Sequence, residues 1–187
     1  MLQTISVLVE NKAGALLRVT AVLASRGFNI DSLTVAKTTD PALSRMTITV
    51  SAEERVRARI IAQMNKLINV VEAIDLTESP SSVREMVLLR LDSASLCGSL
   101  LKTATAVQAR LVGPASGGFV MEATGSPTEL DAWIATFPEG AGIEVTRSGG
   151  VAVPLESRSL PAPNPVRTGQ GRIPVGQALS PAFISSR

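Results

Sequence analysis

The 187-residue sequence has no histidine, no tyrosine, one cysteine (Cys97) and one tryptophan (Trp133). Without an imidazole there is no histidine acid–base chemistry and no histidine metal ligand. One cysteine gives neither an internal disulfide nor a thiolate pair for zinc, and Cys97 reads as an inert, at least half-buried thiol in a reducing compartment. Aromatics make up 3% of the chain, too few for the stacking platforms that hold single-stranded nucleic acid. No apolar run approaches the roughly 20 residues that span a bilayer. The N-terminus shows no basic segment followed by an apolar one, so no signal peptide is expected. These absences predict a cytoplasmic protein with no nucleic-acid partner, no membrane contact and no metal site. Catalysis by such a chain alone would have to rest on lysine or carboxylates.

Apolar residues make up 45% of the chain, enough for one or two small cores built from Val, Ile, Leu, Ala and Met. The formal charge is +2, but residues 154–187 hold four arginines (Arg158, Arg167, Arg172, Arg187) against Glu156. That segment carries +3 and residues 1–153 about −1, so the basic character belongs to the tail. The tail also holds six of the eleven prolines and no sustained periodicity, which predicts disorder over 153–187.

Periodicity over the remainder predicts strands at 3–9, 32–37, 44–50 and 70–76 and helices at 15–26 and after Ser51. Ile5, Val7 and Val9 share one strand face, with Ser6 and Leu8 on the other. Leu16, Val19, Val22 and Leu23 form the first helical stripe, and Val56, Ile60, Met64 and Leu67 the second. Gly27 suits a helix C-terminus, and Ser51 to Glu54 reads as a capping box. The order β-α-β-β-α-β is the split, ferredoxin-like arrangement. A proline-containing linker follows, and the same order returns: strands at 85–91, 108–112, 119–124 and 143–147, and helices at 96–107 and after Ser126. There Pro127 and Glu129 complete a second capping box. Trp133, Ile134 and Phe137 give that helix its apolar face, and Gly113 to Gly118 reads as a hairpin loop. The fold class is therefore α+β, two tandem βαββαβ units and a disordered tail. The boundaries are 1–78 for the first unit, 79–83 for the linker, 84–152 for the second unit and 153–187 for the tail.

Few motifs carry chemistry. Arg55, Arg57 and Arg59 beside Glu53 and Glu54 read as a solvated helix face or a protein contact. The acids, Glu72 and Asp75 among them, are scattered. The loop Asn11-Lys12-Ala13-Gly14 and the helix start Ala15-Leu16 are more specific. They form either an ordinary β–α turn or a ligand site with free backbone N–H groups at a helix N-terminus. Such a terminus stabilises a negative group by about 0.3–1 kcal/mol when exposed. Asn11 and Asn29 are expected on loops flanking the same sheet edge. Their side-chain carbonyls suit an ammonium group, and Leu16 or Ile30 suits an aliphatic side chain.

The stretch Ser6-Val7-Leu8-Val9-Glu10-Asn11-Lys12-Ala13-Gly14-Ala15-Leu16, then Arg18-Val19, then Arg26-Gly27-Phe28-Asn29-Ile30-Asp31-Ser32-Leu33-Thr34-Val35-Ala36, then residues 40–48, resembles the small regulatory subunit of acetolactate synthase (acetohydroxyacid synthase). Residues 1–76 look like its ACT domain. The second unit is similar in order and keeps Arg84-Glu85, Gly125 and Arg147-Ser148-Gly149. The resemblance implies a chain with no catalysis of its own and no cofactor of its own. It implies a homodimer through ACT domains and a large catalytic subunit carrying thiamine diphosphate, Mg²⁺ and FAD. It also implies activation of that partner and feedback inhibition by valine, leucine or isoleucine. The effector would lie between two ACT domains, on Asn11, Lys12, Ala13, Gly14, Ala15 and Leu16 of one chain and Asn29 and Ile30 of the other. The alternatives are a stand-alone amino-acid-binding regulator of transcription, for which no helix-turn-helix pattern speaks, and a small enzyme.

Overall fold

The computed structural model of the chain describes residues 2–92, 107–115, 117–137 and 142–156. Strand β1 (Leu2–Glu10) is central in the first unit. It pairs antiparallel with β3 (Leu43–Ser51) and β4 (Val70–Asp75), and β3 pairs with the edge strand β2 (Ile30–Lys37), giving the order β2-β3-β1-β4. Helices α1 (Ala15–Ala24) and α2 (Glu54–Met64) cover one face. Val19, Leu23, Ile60 and Met64 from the helices meet Ile5, Val7, Met46, Ile48 and Val50 from the sheet, all at most 1% exposed. Full burial of a large aliphatic side chain is worth about 1.5–3 kcal/mol, so this cluster is the unit's main source of stability. Helix α1 closes as predicted at Gly27 (φ +70°), whose N–H donates to Ala24 O at 3.0 Å while Phe28 N–H donates to Leu23 O at 3.2 Å.

The box expected from Ser51 to Glu54 is not formed. The cap of α2 is Glu53, with no side-chain cap bond. Ser51 remains in β3 opposite Leu2, and its Oγ donates to Asp31 Oδ2 at 3.0 Å. A residue held in a ladder is not available as a cap. Arg57 also departs from the solvated cluster. Its Nε pairs with Asp75 at 2.6 Å and its Nη2 with Glu78 at 3.0 Å, with the side chain 11% exposed. It ties α2 to the end of β4.

The second unit repeats the layout with β5 (Ser81–Leu91), β6 (Gln108–Ala115), β7 (Gly118–Gly125), α3 (Pro127–Ile134) and β8 (Ile143–Arg147), in the order β6-β7-β5-β8. Val87, Leu89, Leu91, Met121, Ala123, Leu130 and Trp133 form its core. The box at α3 is present: Ser126 Oγ accepts from Glu129 N–H at 3.3 Å, and Glu129 Oε2 accepts from Ser126 N–H at 2.8 Å. The Ser126 N–H bond foremost, with the Ser126 side chain adding, holds the Glu129 carboxyl below its ordinary range.

Three expectations need correction. The linker is shorter than 79–83, because Ser81 already begins β5. The hairpin loop is shorter than Gly113 to Gly118, because Ala115 pairs directly with Gly118. The second unit also has one more strand, β9 (Val151–Pro154), so the ordered chain runs past the expected tail boundary at 153. Most of the helix expected at 96–107, with Cys97, and the tail from Ser157 on lie outside the described residues.

Strand β9 pairs with the first four residues of β5, Ser81 to Arg84, while the rest of β5 pairs with β7 and β8. It lies against the outer face of the first sheet, where Ala152 is buried with Ile74 and Leu76 and packs with Val83. The sheet is therefore covered on both faces. Ser6 and Leu8, outward on β1, are 0% and 3% exposed.

Candidate functional site

Residues Asn11 to Gly14 join the end of β1 to α1. Asn11 is tied to the β2–β3 turn, its N–H donating to Ala42 O at 2.7 Å and its Nδ2 to Pro41 O at 3.0 Å. Glu10 anchors the other side. Its Oε2 accepts from Asn69 Nδ2 at 2.7 Å and pairs with Lys12 Nζ at 3.2 Å, while Asn69 Oδ1 accepts from Arg18. The loop is thus held at both ends by bonds that leave its outer surface bare.

Gly14 is the cap of α1, left-handed at φ +81° and ψ −5°, with no side-chain cap bond. A Cβ built there would meet nothing within 4 Å. The first intrahelical bond is Arg18 N–H to Gly14 O at 3.1 Å. Ala15 N–H is already spent on Lys12 O at 3.1 Å, and the Ala15 side chain is buried. Not every amide at this helix start is therefore free, as a ligand site there would need: the unspent donors include Gly14, Leu16 and Leu17, whose N–H groups meet no acceptor among the described residues. Asn11 Oδ1 likewise meets no described donor and is free for an ammonium group.

Leu16 and Leu17 are 41% and 71% exposed, so Leu16 does not belong to the core stripe. Leu17 was not singled out from the sequence. It falls roughly 160° round the helix from Val19, and that angle marks it as outward-facing. Arg18 and Asn69 were also missed. Their roles depend on a contact between residues 51 apart, for which there is no local signal.

Asn29 and Ile30 are not beside this loop within one chain. Ile30 pairs with Val50, which pairs with Gln3, whereas the loop follows Glu10, opposite Leu43. The two asparagines sit at opposite ends of the sheet, roughly 20–25 Å apart at about 3.3 Å per residue. Asn29 is exposed, with Nδ2 donating to Asp31 Oδ1 at 3.3 Å, and Ile30 is half-buried against the first core.

The motifs Arg84-Glu85 and Arg147-Ser148-Gly149 meet between the units. Buried Glu85 accepts from Arg147 Nε at 3.1 Å and Nη2 at 2.7 Å, and from Gly149 N–H at 3.1 Å. Arg147 also donates to Asp131 on α3. The Glu85 bonds, with Asp131 adding, push the Arg147 guanidinium further above its ordinary range despite its partial burial. This is a structural brace with every charge paired. Among the described residues, no three His, Cys, Asp or Glu side chains are grouped so as to hold a metal. No helix among them is long and apolar enough to cross a membrane.

Comparison with known proteins matches both units. Residues 5–72 fit the family described as AHAS small subunit-like ACT domain, and residues 84–156 fit the small subunit of acetolactate synthase. The acetolactate synthase small subunit of Mycolicibacterium smegmatis is 37% identical over 160 residues, 85% of this chain and 94% of that one. The isozyme 3 small subunit of Escherichia coli is 36% identical over 155 residues, 82% of this chain and 95% of its own. The crystal structure of the Thermotoga maritima small subunit superposes with a TM-score of 0.73 at 28% identity, covering 84% of this chain and 99% of that one.

Proposed function

The chain belongs to the family of acetolactate synthase small subunits, and from that premise we propose that it is the non-catalytic regulatory subunit of an acetolactate synthase in the cytoplasm. It binds a large catalytic subunit that carries thiamine diphosphate, Mg²⁺ and FAD, raises its activity, and returns feedback inhibition by a branched-chain amino acid. The observation that supports the effector role most directly is the open start of α1, with bare amides at Gly14, Leu16 and Leu17 beside the Asn11 carbonyl. A free amino acid offers the complementary groups. Its carboxylate accepts from the amides, its ammonium donates to Asn11 Oδ1, and its aliphatic side chain covers exposed Leu16. One more or one fewer methylene in such a site is worth about 1–3 kcal/mol, so valine, leucine and isoleucine compete.

In this reading the site is completed by a second copy. Strand β2 is an unpaired edge. Two such edges meeting antiparallel about a two-fold axis bring the start of one β2 toward the end of the other. Asn29 and Ile30 of the second copy then approach the first copy's loop, which their position within one chain does not allow.

The test is reconstitution with the cognate large subunit, measuring acetolactate production with and without valine, leucine and isoleucine. Higher activity on adding the chain, and inhibition by at least one of the three, is the expected result. An indifferent large subunit refutes the reading.

A further inference from the structure

Strand β2 links the proposed effector site to the second unit. Its outward hydroxyls hold the segment that leads into β9. Thr34 Oγ1 donates to Gly150 O at 2.6 Å, Ser32 Oγ accepts from Gly150 N–H at 3.3 Å, and on the next strand Thr47 Oγ1 accepts from Ala152 N–H at 3.2 Å. Gly149 is left-handed at φ +77°, and a Cβ there would lie 2.9 Å from Ser32 Oγ and 3.2 Å from Thr34 Cγ2. The backbone thus rests directly on β2. From the other side, Gly149 N–H is held by Glu85, which also grips Arg147, and Arg147 reaches Asp131 on α3. The strap borders a cleft of about 1040 Å³ between the two units, lined also by Thr4, Thr49, Pro127 and Thr128.

We propose that the Gly149–Gly150 strap is the route by which an occupied effector site acts on the second unit. The inference rests on the reading that Asn29 and Ile30, at the start of β2, contact the effector. A shift of β2 on binding moves Ser32 and Thr34. Those hydroxyls carry Gly150 with them, and Gly149 transmits the displacement to the Glu85–Arg147–Asp131 brace. Open cleft beside the strap leaves room for the movement.

The experiment is amide hydrogen exchange on the full-length chain with and without each branched-chain amino acid, alongside calorimetry and the holoenzyme inhibition assay. In the wild type, the effector is expected to change exchange both at residues 11–17 and at 150–154. Thr34→Val, nearly isosteric but lacking the donor, is expected to keep the binding heat and the response at 11–17 and to lose the response at 150–154. Its half-inhibitory concentration in the holoenzyme rises roughly tenfold, within the usual range of allosteric coupling. Gly149→Ala, which forces the strap off β2, is expected to do the same and serves if Thr34→Val folds poorly. Binding heat with an unresponsive β9 in the wild type, or unchanged inhibition in both variants, overturns the strap proposal and leaves the effector site standing. No heat and no exchange change with any of the three amino acids overturns both.

Discussion

The two units share a strand order and differ in how a helix begins. In the second, α3 starts behind a complete capping box, with Pro127 in its first turn and Ser126 and Glu129 satisfying each other's amides. In the first, α1 starts behind a left-handed glycine with no cap at all. A capping box satisfies two of the orphan donors, whereas an uncapped terminus keeps them for something else. The chain therefore has a capped helix start in one place and an open one in the other. A second contrast lies on the sheets' outer faces. The first sheet presents Ser32, Thr34 and Thr47, which hold β9. The second presents charge pairs, Arg110 with Glu122 and Arg90 with Glu144, and none of the described strands covers it.

The largest expected effect comes from filling the open terminus. Gly14→Asp puts a carboxylate among the amides. Because a Cβ meets nothing within 4 Å, the cost to folding is confined to the left-handed backbone, about 1 kcal/mol. Feedback inhibition should vanish while activation of the large subunit persists. Full inhibition of the mutant holoenzyme by valine, leucine or isoleucine would remove the loop from the site. Gly14→Ala carries the same strain without the charge and should weaken feedback less.

Next comes the brace. Glu85→Ala leaves Arg147 without its bidentate partner and frees Gly149 N–H, which should cost about 3 kcal/mol in urea unfolding of the full chain. A cost below about 1 kcal/mol would show that Arg147 is satisfied by Asp131 alone. Asn29→His is expected to raise the half-inhibitory effector concentration several-fold, with activation intact. Loss of activation at unchanged stability would instead place Asn29 in the contact with the catalytic subunit.

The smallest effects should appear at the closed terminus. Ser126→Ala removes the cap and should cost about 1 kcal/mol by thermal unfolding, with feedback untouched. The pH dependence follows from the depressed Glu129 carboxyl. Its contribution is present above a glutamate's ordinary 4.5 and is lost as pH falls through the lower folded value. The wild type should therefore lose stability in acid more steeply than Glu129→Gln, which has no carboxyl to titrate. Parallel acid limbs would mean that the box does not hold the carboxylate.

How legible each feature was depended on its range along the chain. The box at Ser126 could be read because donor and acceptor are three residues apart. The identical pattern at Ser51 misled because β3 continues through Ser51, pairing it with Leu2, 49 positions earlier. Strand β9 was missed: three residues between Gly149-Gly150 and Pro154 give no usable alternation, and its partner is the first four residues of β5, three of which were read as linker. Asn11 and Asn29 were placed at one sheet edge because both follow or precede turns. Only the pairing register shows that they lie at opposite ends. The resemblance places them on different chains of a dimer, a reading that the pairing within one chain does not test.

By itself the sequence determined two βαββαβ units, their cores, the bare loop at Gly14 and the family, since each is written in local periodicity or in contiguous motifs. The tertiary structure alone decided which amides remain free, where Asn29 stands relative to Asn11, and that β9 lies against hydroxyls of the first sheet. Those facts depend on contacts between residues tens of positions apart, and no local pattern specifies which distant partner a backbone group will find.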